Sequence, residues 1–348
     1  MPPGLSRAVF TQINTFMHST SHFSVRSTAR TLLLLALLGL GTHARADFFN
    51  DIYEGIFGED EQKQVPTAEG AATTATSEDS EPEPFRQTLS DARLTDIVEK
   101  QEELFAEIEN KPERRNELEY QRRLRAIATQ YDSFLLDNPD YVYGYLLYGK
   151  FLRRTGQSDL ANNAFMKANM LDPNIAVAKQ QIGNYLAEEG EYTLALAYYL
   201  SAIELEPDEP LYHYDLGILL SHYRTQFIES GTFDPDTLDR SMLKTFRDAS
   251  DLDPANRDYH IRFAEAFFEV DNPDWQDALN QWTILSKGID DPLQLELVQL
   301  QKARVLTEMG RTREAREVLA TIRRPSLQEA KQKLEARLGS ATARTQQP

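Results

Sequence analysis

From Tyr145 to Ala168 the apolar positions recur at helical spacing. Tyr145, Tyr148 and Leu152, then Leu160, Ala164, Phe165 and Ala168, fall at steps of three, four and seven or eight, which place them on one face. Gly156 breaks the pattern midway, and Asp172-Pro173 ends it, since proline disfavours helix for the residue before it. The segment predicts two antiparallel helices joined by a short turn. The same pattern then returns after 34 residues: Gly149 as Gly183 and Gly217, Gly156 as Gly190, Ala161 as Ala195, Phe165 as Tyr199, Ala168 as Ala202. Leu171-Asp172-Pro173 returns as Leu205-Glu206-Pro207. A period of this size marks a solenoid, in which each unit is too small to bury its own apolar face and stacks on its neighbours. Gly149 and Ala161 remove bulk where helices approach, and Phe165 fills the wedge between hairpins.

The spacing Tyr145, Tyr148-Gly149, Leu152, Gly156, Ala161, Phe165, Ala168, Pro173 resembles the tetratricopeptide repeat, and Ile182-Gly183, Leu186, Gly190, Ala195, Tyr199, Ala202, Pro207 fits as a second unit. A third begins at Leu216-Gly217 and Leu220 but resumes only at Phe246, Ala249 and Pro254, leaving about thirteen additional residues, roughly Ser221 to Asp234. A degenerate fourth carries Phe263-Ala264, Phe267, Ala278 and Trp282, and a fifth Ala303, Leu306, Gly310, Ala315 and Leu319. Ahead of them, Tyr120 to Leu136 resembles a lone second helix closed by Asn138-Pro139. The resemblance covers roughly residues 112 to 324. It implies an all-α fold, a right-handed α-solenoid of about five helical hairpins with flanking capping helices.

The resemblance further implies that the first helix of each unit lines a concave groove for a peptide or protein partner. Carried over, the groove shows Tyr143, Leu146, Lys150 and Arg153, then Gln180, Asn184 and Ala187, then Tyr214, Ile218 and Ser221. Asn and Gln can bond an extended backbone as donor and acceptor, and Tyr adds apolar area with a polar tip. The other reading of these residues is an ordinary solvated face. Of the Lys/Asn/Arg clamp that one subset of the family places on a terminal carboxylate, only Asn184 stands in a matching place. The insertion continues the helical period through Leu219, Leu220, Tyr223 and Phe227, predicting one helix to about Glu229. His222, Tyr223, Arg224 and Phe227 then form either an arm standing out of the solenoid or a lengthened hairpin that packs its own aromatics.

The flanks divide by pattern. Leu94, Ile97, Val98, Leu104, Phe105 and Ile108 share the face of an amphipathic helix over 86–110, either a cap on the first repeat or a short dimerising coiled coil. Ser326-x-x-Glu329 is a capping-box signature for a final helix from Leu327 to Leu338, closing the solenoid region 112–338, and the tail 339–348 is expected to be disordered. Residues 59–85, rich in Glu, Thr, Ala, Ser and Pro, read as an acidic disordered linker. Before it, 47–58 sets Phe48, Phe49, Ile52, Ile56 and Phe57 at helical spacing with acids between, a short amphipathic motif for a partner or for the repeats themselves.

Residues 1–46 read as a secretory signal peptide: Arg26 and Arg30, an apolar run over 31–41, and the small-x-small Ala44-Arg45-Ala46. The rival is an uncleaved anchor. Fourteen residues separate Arg30 from Arg45, spanning roughly 21 Å against a hydrocarbon core of about 30 Å. Both place the repeats outside the cytoplasm, and the cleaved form, with no membrane span, would be periplasmic. A start at Met17 gives an ordinary basic segment of Met17 to Arg30. The chain has no cysteine, which excludes disulfides, thiol chemistry and a lipid-modified N-terminal Cys. Its formal charge is −18, from 37 basic and 55 acidic side chains, and loss of 1–46 would remove four Arg and no acid. That excess argues against nucleic acid as a partner.

Catalytic and cofactor patterns are not found. Beyond residue 46 the histidines are His213, His222 and His260, none in a metal-ligand pattern, and His213 and His260 hold equivalent places that suit packing. There is no phosphate-cradling Gly-rich loop and no GxSxG elbow. Asp234-Pro235-Asp236 with Asp239, and Asp271 to Asp274 with Asp277, lack the order of a calcium loop; Asp234-Pro235 reads as a helix cap. The sequence thus predicts an exported, non-enzymatic interaction scaffold without metal or cofactor. An organiser of envelope or secretion machinery and a regulator or anchor of an envelope enzyme stay open, as does an enzyme with an unrecognised acidic site.

Overall fold

A computed structural model describes residues 84–114 and 117–345, and every regular element among them is helical. The leader 1–46, the choice of start, the motif 47–58 and nearly all of the linker lie outside the described residues. The chain forms two compact units that meet in sequence at Leu205–Glu206.

In the first unit, α1 (Pro84–Asn110), α2 (Leu118–Asp137), α3 (Val142–Arg154), α4 (Ser158–Leu171), α5 (Ala176–Glu188) and α6 (Tyr192–Leu205) pack as successive pairs α1/α2, α3/α4 and α5/α6. Two sequence devices recur in the last two pairs. Gly156 and Gly190 take positive φ of 80° and 81°, and the next residue's N–H, from Gln157 and Glu191, reaches back to Leu152 and Leu186 at 2.8 Å. This is the helix closure that glycine permits, satisfying carbonyls left open at the end of the first helix. Within the pair, the ring of Phe165 lies in the notch left by Gly149: a Cβ there would sit 2.7 Å from the ring. Tyr199 lies the same way against Gly183, at 2.9 Å. The 34-residue period therefore repeats a contact between ring and backbone as well as a pattern of burial.

One expectation needs correcting. The helix expected as a separate cap over 86–110 pairs antiparallel with α2, so α2 is not a lone second helix. Leu94, Ile97, Val98, Leu104 and Phe105 are buried with Tyr120, Ile127, Tyr131 and Phe134 in one core. Arg93–Asp137 and Arg123–Glu107, each at 2.6 Å, mark the two ends of the pair. Exposed ion pairs contribute about 0–1 kcal/mol, so the buried face sets the pairing. With its apolar face used inside the chain, α1 has no seam left for a dimerising coiled coil.

The second unit comprises α7 (Pro210–His222), α8 (Arg224–Glu229), α9 (Pro235–Leu252), α10 (Arg257–Ala266), α11 (Trp275–Leu285), α12 (Pro292–Glu308), α13 (Thr312–Leu319) and α14 (Gln328–Thr345). Here α7 pairs with α9, α10 with α11, and α12 with α13, while α14 packs on α12 and α13. Phe246 sits against Gly217, where a Cβ would be 2.6 Å from the ring, so the insertion is absorbed without losing the notch. Three local expectations change. The single helix expected to reach Glu229 breaks at Tyr223 (φ −103°, ψ 20°) into α7 and α8, which lets Phe227 turn into the core. The proposed capping box at Ser326 is not formed, because Pro325 starts a 3-10 turn with Arg324 as its cap and Ser326 inside it. Finally, α14 runs on past Leu338 to Thr345, where disorder was expected; Ala341, Ala343 and Arg344 are good helix formers that outweigh Gly339.

Candidate functional site

The first-helix face of the first unit is more closed than the sequence implied. Leu146, Lys150 and Gln180 are buried, with Lys150 4% and Gln180 2% exposed, so they are not displayed to a partner. Burial is the main cause that lowers the Lys150 ammonium to a pKa of about 7; Glu102 opposes the shift and Arg154 adds to it. Next to Lys150, part of the cover comes from α1. Arg154 lies 3.9 Å over the Phe105 ring and pairs with Glu109 at 2.5 Å and Glu102 at 3.5 Å. Arg153 pairs with Glu188 across α3 and α5. Asn184 Oδ1 accepts from the Tyr199 hydroxyl at 2.6 Å, so its oxygen serves its own hairpin. Tyr143 and Ala187 remain partly exposed.

The second unit presents a different face. Taking Ala264 and Ala303 as equivalents of Gly217, the register of Tyr214, Ile218 and Ser221 continues as Ile261 and Glu265 on α10 with Phe268 in the turn just after it, and as Leu300, Arg304 and Thr307 on α12. The side chains join the three helices. Tyr214 packs on Tyr259 with ring centroids 5.0 Å apart, Arg262 donates to Ser221 at 2.7 Å, and Arg304 lies 3.8 Å over the Phe268 ring. Glu269 accepts from Ser221 at 2.6 Å and from Arg262 at 2.9 and 3.0 Å. Ile218 and Leu297 are 37% and 44% exposed, and Tyr214, Ile261, Phe268 and Leu300 are partly so. Arg304 forms no ion pair among the described residues, although it, like Arg262, holds the raised Glu265 carboxyl partly down against burial and Glu269. The result is an apolar strip with charged groups set into it. Sequence reasoning stopped at Ser221 and missed Ile261, Phe268, Leu297 and Arg304, which the register through Ala264 and Ala303 could have found.

At the insertion, the arm and the packed hairpin are told apart. Phe227 is fully buried, edge-on to Phe233 at 5.6 Å, and therefore does not stand out of the fold. Arg224 holds Asp239 through two bonds of 2.7 and 3.0 Å and reaches Asp271 at 2.9 Å; the Asp271 N–H donates to Asp239 at 2.8 Å. These carboxylates hold the guanidinium above its ordinary pKa. Tyr223 is partly buried beside His222, and of the four residues only His222 is exposed.

The remaining polar candidates have structural partners. The Nε2 atoms of His213 and His260 stand 2.7 and 3.3 Å from the carbonyls of Pro207 and Pro254, so each donates to the equivalent turn of its unit. Asp234 caps α9 through Thr237 N–H, and Asp274 caps α11 through Gln276 and Asp277 N–H. Among the described residues no group of three or more His, Cys, Asp or Glu could hold a metal ion. Nor is any described helix long and apolar enough to cross a membrane.

Two family models match short stretches of the chain. A family model described as "Tetratricopeptide repeat" matches residues 142–175, and one described as "TPR repeat" matches 183–221. Among solved structures, the chain is similar to YrrB, described as "a TPR protein with an unusual peptide-binding site", at 16% identity and TM-score 0.48, over 62% of this chain and 99% of that one. It is similar to pilF of Pseudomonas aeruginosa at 13% identity and TM-score 0.45, over 69% and 98%. The MamA protein follows at 15% identity and TM-score 0.40, over 61% and 94%. Among curated proteins no match was found.

Proposed function

We propose that this chain, a tetratricopeptide-repeat protein, is a non-enzymatic scaffold that holds a peptide or protein segment on the first-helix face of its second unit. The observation that carries the reading is the strip itself: Ile218 on α7 and Leu297 on α12 leave apolar area in water on the helices that also carry Tyr214 and Arg304, with Arg304 lacking a carboxylate partner among the described residues. An amphipathic segment laid on such a face buries both partners' apolar surface, at about 25 cal/mol per Å² removed from water, while charges at the rim fix its register. The first unit, whose equivalent face is filled by Lys150, Gln180 and the cover from α1, serves in this reading as the support.

The test uses the full chain as bait, with Ile218→Asp and Leu297→Asp together. Both side chains are already exposed, so the fold should survive while partner capture falls at least tenfold. Capture that survives the double change but fails in a Tyr143→Ala/Asn184→Ala variant would move the binding face to the first unit and overturn the assignment.

The leader supports a second part of the proposal, that the protein is exported and works in the cell envelope as an organiser or regulator of other proteins. Cell fractionation checks this. A chain found in the cytoplasm with residues 1–46 still attached defeats it.

A further inference from the structure

We propose that the strip of the second unit takes a basic amphipathic segment of a partner protein, one of whose Lys or Arg side chains seats against the Tyr214–Tyr259 pair. The inference rests on the strip being a binding face, and it names the chemistry of what that face holds. Two contacts join α7 to α10 here: the rings of Tyr214 and Tyr259, with centroids 5.0 Å apart, and the bond of 2.7 Å from Arg262 to Ser221. On α7, Ile218 stands between Tyr214 and Ser221, one turn from each, and is 37% exposed. Both tyrosines are partly exposed, and neither hydroxyl forms a hydrogen bond among the described residues. The pair therefore keeps ring surface open to a ligand. The electron-rich face of a phenol attracts a cation held within about 6 Å of its centroid.

Charge selects the sign of the occupant. Asp215, Asp258 and Glu265 act on Tyr214, and Glu269 on Glu265, against Arg262 and Arg304. Arg262 is engaged within the chain: it pairs with Glu269 at 2.9 Å and lies 4.3 Å over the Phe246 ring. Arg304 lies over Phe268, in the turn after α10. What faces the tyrosines is therefore mainly negative, and Asp258 and Glu265 are exposed without an ion pair among the described residues. The same field reaches the second ring. Burial first, then Asp215, Glu209 and Asp253, push the Tyr259 phenol up to about 12, so carboxylates on α7, before it and after α9 all act on one side chain. An acidic segment would be repelled here, and an uncharged one would desolvate carboxylates without compensation. The field turns away nucleic acid and anionic lipid as well. A Lys or Arg meets both ring faces and carboxylates, while an apolar neighbour in the same segment covers Ile218.

The probes are short synthetic peptides that share one helical pattern of Leu and carry Lys, Gln or Glu at every polar position, titrated against the full chain by fluorescence anisotropy. The Lys peptide should bind at least tenfold more tightly than the Glu peptide at about 0.1 M salt. The gap should narrow toward about 1 M, as the Debye length falls from about 10 to about 3 Å. Because the whole chain is acidic, matched substitutions read the location. Asp258→Asn/Glu265→Gln should weaken the Lys peptide at least threefold. Glu229→Gln/Asp290→Asn, the same loss of charge at exposed places outside the strip, should weaken it less than twofold. Tyr214→Leu should cost about threefold, while Tyr214→Phe, which keeps the ring face, should bind as the native chain does. Equal losses from the two pairs of substitutions assign the attraction to overall charge and overturn the inference, as does a Lys peptide that does not saturate. A Gln or Glu peptide that binds as tightly as the Lys form, and weakens in Ile218→Ser, overturns the cationic assignment and leaves the binding face standing. A Lys peptide indifferent to both Ile218→Ser and Tyr214→Leu sits elsewhere, and the inference falls; partner capture by Ile218→Asp/Leu297→Asp then decides the face by itself.

Discussion

Gly149→Ala puts the repeat's central contact under test. The added Cβ would lie 2.7 Å from one Phe165 ring carbon and 2.9 Å from two others, against about 3.5–4.0 Å for carbon atoms in comfortable contact. The ring must therefore retreat by roughly 1 Å, and Phe165 is only 1% exposed within the packed core of the first unit. Overpacking of this kind costs about 1–3 kcal/mol. Against it stands the helix preference of Ala over Gly, about 1 kcal/mol in favour of the variant. The balance predicts a net loss of about 1–2 kcal/mol, Gly217→Ala being at least as severe at 2.6 Å and Gly183→Ala milder at 2.9 Å.

Urea unfolding of the full chain, followed by amide exchange over α3 and α4, reads the loss where it arises. Shrinking the ring in Gly149→Ala/Phe165→Leu should recover part of it, giving a coupling of about 1 kcal/mol between the two sites. Gly156→Ala separates a second mechanism. Nothing lies within 4 Å of its Cβ, yet φ is +80°, so it should lose about 1 kcal/mol that no change at Phe165 restores. A Gly149→Ala protein as stable as the native one would refute the ring-in-notch account.

At Lys150 the prediction concerns pH. The folded pKa is lowered to about 7 from 10.5, so between those values the unfolded chain binds the extra proton. Stability should rise with pH across that window by up to about 1.4 kcal/mol per unit from this group, and the slope should flatten in Lys150→Met; parallel urea midpoints for the two proteins from pH 6 to 9.5 would contradict it. At the insertion, Arg224→Ala strips the buried Asp239 of its main partner and should cost about 2–3 kcal/mol, with faster exchange in 224–233. His222→Ala should change stability by less than about 0.5 kcal/mol; thermal melts of the pair compare them.

What could be read from the sequence follows from where each constraint acts. Gly149, Phe165 and Gly156 are fixed by contacts inside a hairpin, so a period of 34 carries them to Gly183, Tyr199 and Gly190 without knowledge of any neighbour. The face of Leu94 to Ile108 was legible as apolar, but its partner was not. Pro112 and a long connection precede α2, and the first pair has no glycine at the place of Gly149 to announce a repeat. Lys150 and Gln180 are polar by type and buried by circumstance; at Lys150 the neighbour Glu102 arrives from α1, far away in sequence. Phe227 shows the same limit: helical spacing identifies its face, and only the break at Tyr223 decides that the face turns inward.

The insertion and the strip are joined by the same short stretch of chain, which changes what the break in the period means. Ser221 closes α7 one residue before His222 and binds Glu269; two residues after Glu269, Asp271 is held by Arg224. Arg224 thus fixes, through Asp239 and Asp271, the loop whose other end carries Glu269 and its partner Arg262 at the edge of the strip. The additional residues build no arm of their own. They brace the loop after α10, and that loop in turn sets how Ser221 and Arg262 stand beside Tyr214 and Phe268. Loss of a segment bound to the strip on Arg224→Ala, with none of the strip's own residues changed, is the signature of such bracing. Binding unchanged in that variant, despite a loosened 224–233, would leave the insertion a matter of stability alone.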